Sequence, residues 1–351
     1  MLNKKLVRII PFILIFTFSV SLFAQGTFKV GEVSVKSGEK KSGYIIVPAG
    51  SDGDEVQIPI TVINGAKSGP VLALVAAVHG YEYPPVLALQ RLIKLLDPAE
   101  ISGKVILVHV ANIPSFLKRT VYYTPKDWKN MNRVFPGKID GTISERIAYQ
   151  ITKEVVDKCD ALIDNHCGDG NEDLMPYLYC TAETGDSELD KKIKGLATSF
   201  GLKVIVRETG RTKEVNQSLY LSNTAILRGK PAISTEAGKL GRSDEDDIIR
   251  VVTGCFNILK HLKMIKGEPE LLFEPVWVQE YQIIRSEHDG LFYPLVSRGD
   301  HVQKGELAGY LTDFFGNIIQ KVHAPHTGIV LYIIGTPPMS TGEPMVSVGK
   351  F

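Results

Sequence analysis

Residues 71–85, VLALVAAVHGYEYPP, constrain the fold more tightly than any other stretch of the chain. Residues 71–78 are apolar at every position, without the alternation of a half-exposed strand, and predict a strand covered on both faces as in a parallel sheet. Open α/β sheets bind their ligands beyond the carboxyl ends of the strands. There the chain places His79 and Glu82, an imidazole and a carboxylate three residues apart, which make a plausible half of a metal site. Pro84 and Pro85 suit the first turn of a following helix.

Lys4, Lys5 and Arg8 precede an apolar run over residues 9–23 and the small Ala24, the pattern of a secretory signal peptide over residues 1–24. The run falls short of the roughly 20 residues a membrane-spanning helix needs. The expected product is exported, periplasmic or secreted, with no stable membrane anchor after cleavage. The chain carries 40 Lys and Arg against 39 Asp and Glu; three of the basic residues lie in the leader, which leaves 37 against 39 and a net charge of −2. That balance gives no reason to expect nucleic acid or an anionic membrane as a partner. Cys159, Cys167, Cys180 and Cys255 are too few for a disulfide framework and leave one bridge open.

At 351 residues the chain exceeds the roughly 250–300 that one core supports, so two domains are expected after the leader. Residues 29–57 alternate loosely between glycines and prolines and suggest an antiparallel lead-in, and residues 58–63 form a further strand. Val86, Leu89, Leu92, Ile93 and Leu96 fall at helical spacing before Pro98, and residues 105–111 form another buried strand. Strands alternating with helices in this way form a βαβ sheet. Thr142 and Glu145 make a capping box ahead of a helix, residues 161–163 a short buried strand, and residues 231–235 another. Asp244 caps the last helix, and residues 266–275 have the composition of a linker. From Val276 onward short strands separated by glycines predict a small all-β domain over residues 276–351, against an α/β domain over residues 25–270.

Three buried strands therefore end in metal-binding or acid/base side chains: His79 with Glu82, then His166, then Glu236. Two imidazoles and one carboxylate are the protein ligands of a catalytic zinc site that keeps a fourth position for water. Zinc lowers the pKa of that water to about 7, and a carboxylate outside the ligand set, here Glu236, can take its proton. Asp164, two residues before His166, is either a partner holding that histidine in one tautomer or a turn residue, with the turn favoured. His109, inside a strand, is expected as a core residue, and His323 and His326 as members of a solvated turn. Tyr122, Tyr123 and Trp128 either line a pocket mouth or pack the long, weakly periodic stretch of residues 112–141, whose length suggests a functional loop.

HGYE at 79–82, NRVFPG at 132–137, DNHCGDGNEDLMPY at 164–177 and TEAG at 235–238 together resemble the succinylglutamate desuccinylase/aspartoacylase family, a branch of the zinc carboxypeptidase-like enzymes. The resemblance spans nearly the whole mature chain. It implies a mixed sheet flanked by helices, and one zinc ion per chain on His79, Glu82 and His166. It also implies Glu236 as general base and proton donor, and Asn132 with Arg133 as the pair that binds the substrate carboxylate. A planar guanidinium fork suits that last task. By the same resemblance Arg119 is the candidate for polarising the scissile carbonyl, although its interval to Asn132 is longer than in the aspartoacylase pattern. Arg228 is the candidate further substrate-binding arginine. The family often has Asp two residues before the Asn, where this chain has Asn130, and Met131 stands in place of its Leu.

The C-terminal domain resembles the barrel-sandwich fold of biotinyl and lipoyl carriers, but Lys321 lacks the carrier-lysine context, so a rim or lid to the active site is expected. The activity implied is hydrolysis of an amide bond next to a free carboxylate, on a small-molecule N-acyl amino acid. Two alternatives are a zinc carboxypeptidase acting on short peptides such as those of the cell wall, and a zinc-holding protein that binds carboxylates without turnover. Glu236 would have no purpose in the last of these. The oligomeric state has no signature in the sequence.

Overall fold

The computed structural model describes residues 26–51 and 55–351; the leader expected over residues 1–24 lies outside the described residues. A nine-stranded mixed sheet runs, from edge to edge, through Val276–Val278, Val204–Glu208, Tyr177–Thr181, Ala232–Glu236, Ala161–His166, Lys67–Ala76, Ser102–Val108, Val56–Asn64 and Glu39–Val47. The four strands Ala232–Glu236, Ala161–His166, Lys67–Ala76 and Ser102–Val108 are mutually parallel. Antiparallel pairs flank them on both sides. The apolar run predicted to be covered on both faces lies in this central group, and residues 72–78 are all fully buried.

The helices flank the sheet in two groups. Tyr83–Leu95, Ser187–Phe200 and Glu245–His261 pack together, and Ile143–Ile151 runs on into a wider turn at Thr152–Val156 that meets Leu221–Ile226. Local signals explain their starts. Pro84 and Pro85 occupy the first turn of Tyr83–Leu95, and Thr142 with Glu145 forms the predicted capping box of Ile143–Ile151.

The C-terminal β region holds two antiparallel sheets around its own core of Phe292, Leu311, Val330, Met345 and Val346. Its border with the large sheet is reciprocal. The strand Val276–Val278, which opens the β region in sequence, pairs parallel with Val204–Glu208 at the edge of the large sheet. In return Glu172–Leu174, from the α/β region, pairs antiparallel with Gly328–Ile334. Leu174, Tyr177, Val206, Val278, Leu331 and Tyr332 fill a separate apolar cluster at this junction. All four cysteines are buried and unpaired, so no bridge forms among them.

Candidate metal centre and pocket

The side chains singled out in the sequence are brought together by adjacency in the sheet. Lys67–Ala76, Ala161–His166 and Ala232–Glu236 are consecutive parallel strands, and Glu236 stands in register with His166. Ala77 takes a left-handed φ of 53° just past the first strand, which turns the chain out of the sheet before His79. Gly80 permits the tight passage that follows, because a Cβ there would lie 2.5 Å from the Thr120 carbonyl oxygen and 2.6 Å from that of Ser115. Glu82 then stands at the N-terminal boundary of the helix Tyr83–Leu95 and turns its side chain back, Oε2 accepting from the His79 N–H at 3.0 Å.

The geometry has a clear centre. His79 Nδ1 lies 3.0 Å, and His166 Nδ1 2.6 Å, from the same Glu82 Oε1. One ligand atom from each of His79, Glu82 and His166 falls within 4.8 Å of the others. The outer nitrogens point away, His79 Nε2 to Asn130 Oδ1 at 3.1 Å and His166 Nε2 to Asp164 Oδ2 at 3.0 Å. Two inward imidazole nitrogens and one carboxylate oxygen, each ring backed by an acceptor on its far side, fit a divalent metal ion. Asp164 therefore faces a histidine and is no turn residue: Ala161–His166 runs through it, and its fully buried carboxylate lies 3.0 Å from His166 Nε2.

The electrostatics agree with a cation position. Burial works against ionising Glu82, but His166 and His79 outweigh it and hold its carboxyl well below the usual range. Burial likewise opposes charge on His166, yet Asp164 and Glu82 raise its pKa well above normal. Burial pushes the Glu236 carboxyl far up, the charge of His166 opposing and those of Glu82, Glu172 and Asp164 adding to the rise. Asp169 is pushed up to about 7, again chiefly by burial.

These groups form one end of a cavity of about 610 Å³. It does not stay at the strand ends. Tyr177 and Tyr179, alternate residues of one strand, and Ser234 and Glu236, alternate residues of the next, all line it, so it extends back across one face of the sheet. Asn132 and Arg133 both reach it. Asn132 Oδ1 accepts from the Leu221 N–H at 2.9 Å, and Arg133 donates to the Asn132 carbonyl at 2.7 Å while lying 4.5 Å over the Tyr220 ring.

Arg119 and Arg228 are not brought into it. Arg119 ends the short helix Ile113–Lys118 in a left-handed conformation, exposed and beside Tyr83. Arg228 pairs with Asp157 at 3.0 Å and donates to the Thr224 carbonyl. Neither guanidinium lines the cavity. The pocket arginines beyond Arg133 are instead Arg211 and Arg285. Arg211 bonds Glu208 at 2.5 Å and stacks 3.5 Å over Tyr220; Arg285 arrives from the C-terminal region together with Tyr281 and Tyr332.

Tyr122 and Tyr123 line the cavity, and Trp128 stands exposed outside it. His109 is buried against Thr61, as expected of a core histidine. His323 and His326 each bond a backbone carbonyl, of Gly305 and Val348, and join no metal cluster among the described residues.

A sequence profile of the succinylglutamate desuccinylase/aspartoacylase catalytic domain matches residues 68–262, the segment that carries His79, Glu82, His166 and Glu236. The N-alpha-acetyl-L-2,4-diaminobutyric acid deacetylase of Halomonas elongata is 30% identical over 281 residues, which span 77% of this chain and 79% of that protein. The product-bound structure of the ectoine utilization protein EutE (DoeB) from Ruegeria pomeroyi superposes with a TM-score of 0.80 at 27% identity, covering 89% of this chain and 95% of the other. A succinylglutamate desuccinylase/aspartoacylase from Rhodobacter sphaeroides gives 0.78 at 26% identity over 89% and 95%.

Proposed function

The chain belongs to the succinylglutamate desuccinylase/aspartoacylase family, and from that premise we propose that it is a zinc-dependent N-acyl amino acid deacylase, cleaving an amide bond next to a free carboxylate. The observation that carries this is the convergence of His79 Nδ1, His166 Nδ1 and Glu82 Oε1, with Glu236 in register beside His166. Zinc bound there supplies Lewis acidity to the scissile carbonyl and brings a water's pKa to about 7. Asn132 and Arg133 hold the substrate carboxylate, Arg133 through its planar fork, and so fix which amide lies beside the metal ligands. Glu236 takes a proton from the attacking water and returns one to the leaving nitrogen. A carboxyl held high by burial exchanges protons closer to neutrality than an exposed one, which suits both halves of that cycle. Arg211 and Arg285, the guanidiniums that share the cavity with Arg133, add positive charge that suits recognition of the rest of an anionic substrate.

A cavity of about 610 Å³ suits a small acylated amino acid. The name of the Halomonas relative, a deacetylase of an acetylated diamino acid, supports the same class. The test is a panel of N-acyl amino acids beside a panel of short peptides, with zinc content measured on the same preparation. Amine release from the acyl amino acids, with one zinc per chain, is expected. Release from peptides alone would favour a carboxypeptidase, and zinc binding without release from either would favour a carboxylate-binding protein. Export is part of the proposal, on the strength of the basic and apolar leader; the mature protein should begin at Gln25 when its terminus is sequenced.

A further inference from the structure

The two histidines look alike from the metal side and differ on the other. His166 Nε2 faces the buried carboxylate of Asp164 at 3.0 Å, whereas His79 Nε2 faces Asn130 Oδ1, a neutral amide oxygen, at 3.1 Å. The amide is not free to present its nitrogen instead. Asn130 Oδ1 also accepts from the backbone N–H of Asn132 at 2.9 Å, which fixes the oxygen toward the histidine and obliges Nε2 to be the protonated nitrogen of His79. The lone pair of Nδ1 is thereby left toward Glu82.

The same short turn, Met131–Arg133 with Asn130 as its cap, touches the second histidine as well. Asn132 Nδ2 lies 3.2 Å from His166 Nε2, and its orientation is set by the Leu221 N–H on Oδ1, so with Nδ1 as the ligand atom and the proton on Nε2 toward Asp164 both atoms are donors. Asn132 Nδ2 then makes no bond to the ring and stays available to a ligand. Asp164 alone therefore works on the basicity of His166, and Asn130 alone on that of His79.

We infer that Asn130 is a positioning residue that orients His79 for the metal while deliberately adding no charge, so that the site holds its ion less tightly and leaves it more electrophilic than two carboxylate-backed histidines would. A carboxylate acceptor draws the imidazole proton toward itself and makes the ligating nitrogen more basic, whereas an amide does so far less. Asn130 and Asp164 thus set unequal donor strengths on the two sides of one ion. The inference rests on the proposed metal site and goes beyond it.

The test exploits near-identical shapes. Asn130→Asp keeps the oxygen that accepts from Asn132 and changes only the charge, while Asp164→Asn makes the opposite change behind His166. Zinc dissociation constants, measured by competition with a chromophoric chelator at fixed pH, should tighten by roughly tenfold or more in Asn130→Asp. They should weaken by on the order of 10–100-fold in Asp164→Asn and return toward wild type in the double variant. Asn130→Asp should also lower kcat and move the acid limb of its pH profile upward, which a residue that merely shapes the turn would not do. An unchanged or weakened zinc affinity in Asn130→Asp overturns this inference alone. A wild-type protein that binds no zinc overturns both it and the metal site beneath it.

Discussion

The two ends of the pocket are built on different principles. The metal end comes from three neighbouring parallel strands, each of which delivers its chemistry at its carboxyl terminus. The far end, with Glu208, Arg211, Tyr220, Tyr281 and Arg285, is assembled from strands of opposite sense, a loop and the C-terminal region. At the first end position follows from topology. At the second it follows from side-chain packing over a sheet face, so chemistry should fail at one end and recognition at the other.

That division is most exposed to test at Glu236 and His166. Glu236→Gln keeps the shape and removes the proton carrier, so kcat should fall by about 10²–10⁴-fold with zinc and thermal stability retained. His166→Ala should lose the metal together with all turnover. If Glu236→Gln turned over normally, the metal end would not be where the chemistry occurs.

The contrast also explains what could be read in advance. His79 and Glu82 were legible because an uninterrupted apolar run that stops at a polar residue marks a buried strand and its end at once, whereas His166 and Glu236 follow short strands over residues 161–163 and 231–235. Asp164 was misplaced because Asp and Asn are poor strand formers. Tertiary partners override that preference: Asn165 donates to the carbonyls of Val75 and Ile163 and carries the strand on to His166. The strands Glu172–Leu174 and Tyr177–Thr181 have no clear signature in the sequence, being short and separated by Pro176. With them went the sheet reversal that puts Arg211 in the pocket. The expectation that the C-terminal region forms a rim to the site agrees with Tyr281, Arg285 and Tyr332 lining the cavity, although no local signal marked those residues.

Recognition should break at the other end, and by less. Arg133→Ala removes a charge-assisted carboxylate contact worth about 1.5–3 kcal/mol, so KM should rise by on the order of 10–100-fold with kcat changed little. Arg211 differs because it also neutralises Glu208, whose side chain is 8% exposed. Arg211→Ala leaves that carboxylate without its partner and should cost stability of order 3 kcal/mol as well as substrate affinity, seen as a lower denaturation midpoint. If Arg211→Ala lowered kcat with KM and stability intact, Arg211 would belong to the chemistry and the two ends would merge.

The metal end should further reveal itself through pH. In the metal-free protein His79 and His166 have raised pKa values, so their contribution to stability is complete below about 6.5 and is lost as pH climbs through the folded values. Asp169, raised to about 7, and Glu236, also raised, act in the same direction, since the folded chain keeps protons the unfolded chain has given up. Glu82, with a lowered pKa, opposes them only as pH falls below its usual range. Metal-free protein should therefore melt lower at pH 8 than at pH 6. Zinc, which needs the ligands deprotonated, should raise the melting temperature more at pH 8. Equal zinc shifts at both values would mean that the ion does not displace those protons.

The smallest effects are expected at the two arginines that the sequence suggested and the structure sets apart. Arg119 is exposed beyond the end of a short helix, and the Arg228–Asp157 pair has side chains 23% and 51% exposed, where an ion pair contributes at most about 1 kcal/mol. Arg119→Ala and Arg228→Ala should each change kcat/KM by less than about twofold, since a 1.4 kcal/mol loss of transition-state stabilisation would already cost about tenfold. The informative comparison is with Arg133→Ala under the same assay, because all three changes remove one positive charge and only one removes it from the cavity. A tenfold loss at Arg119 would mean that its loop swings across the pocket during turnover. Recognition would then depend on a moving segment, and the far end of the pocket would no longer be the only place where the substrate carboxylate is read.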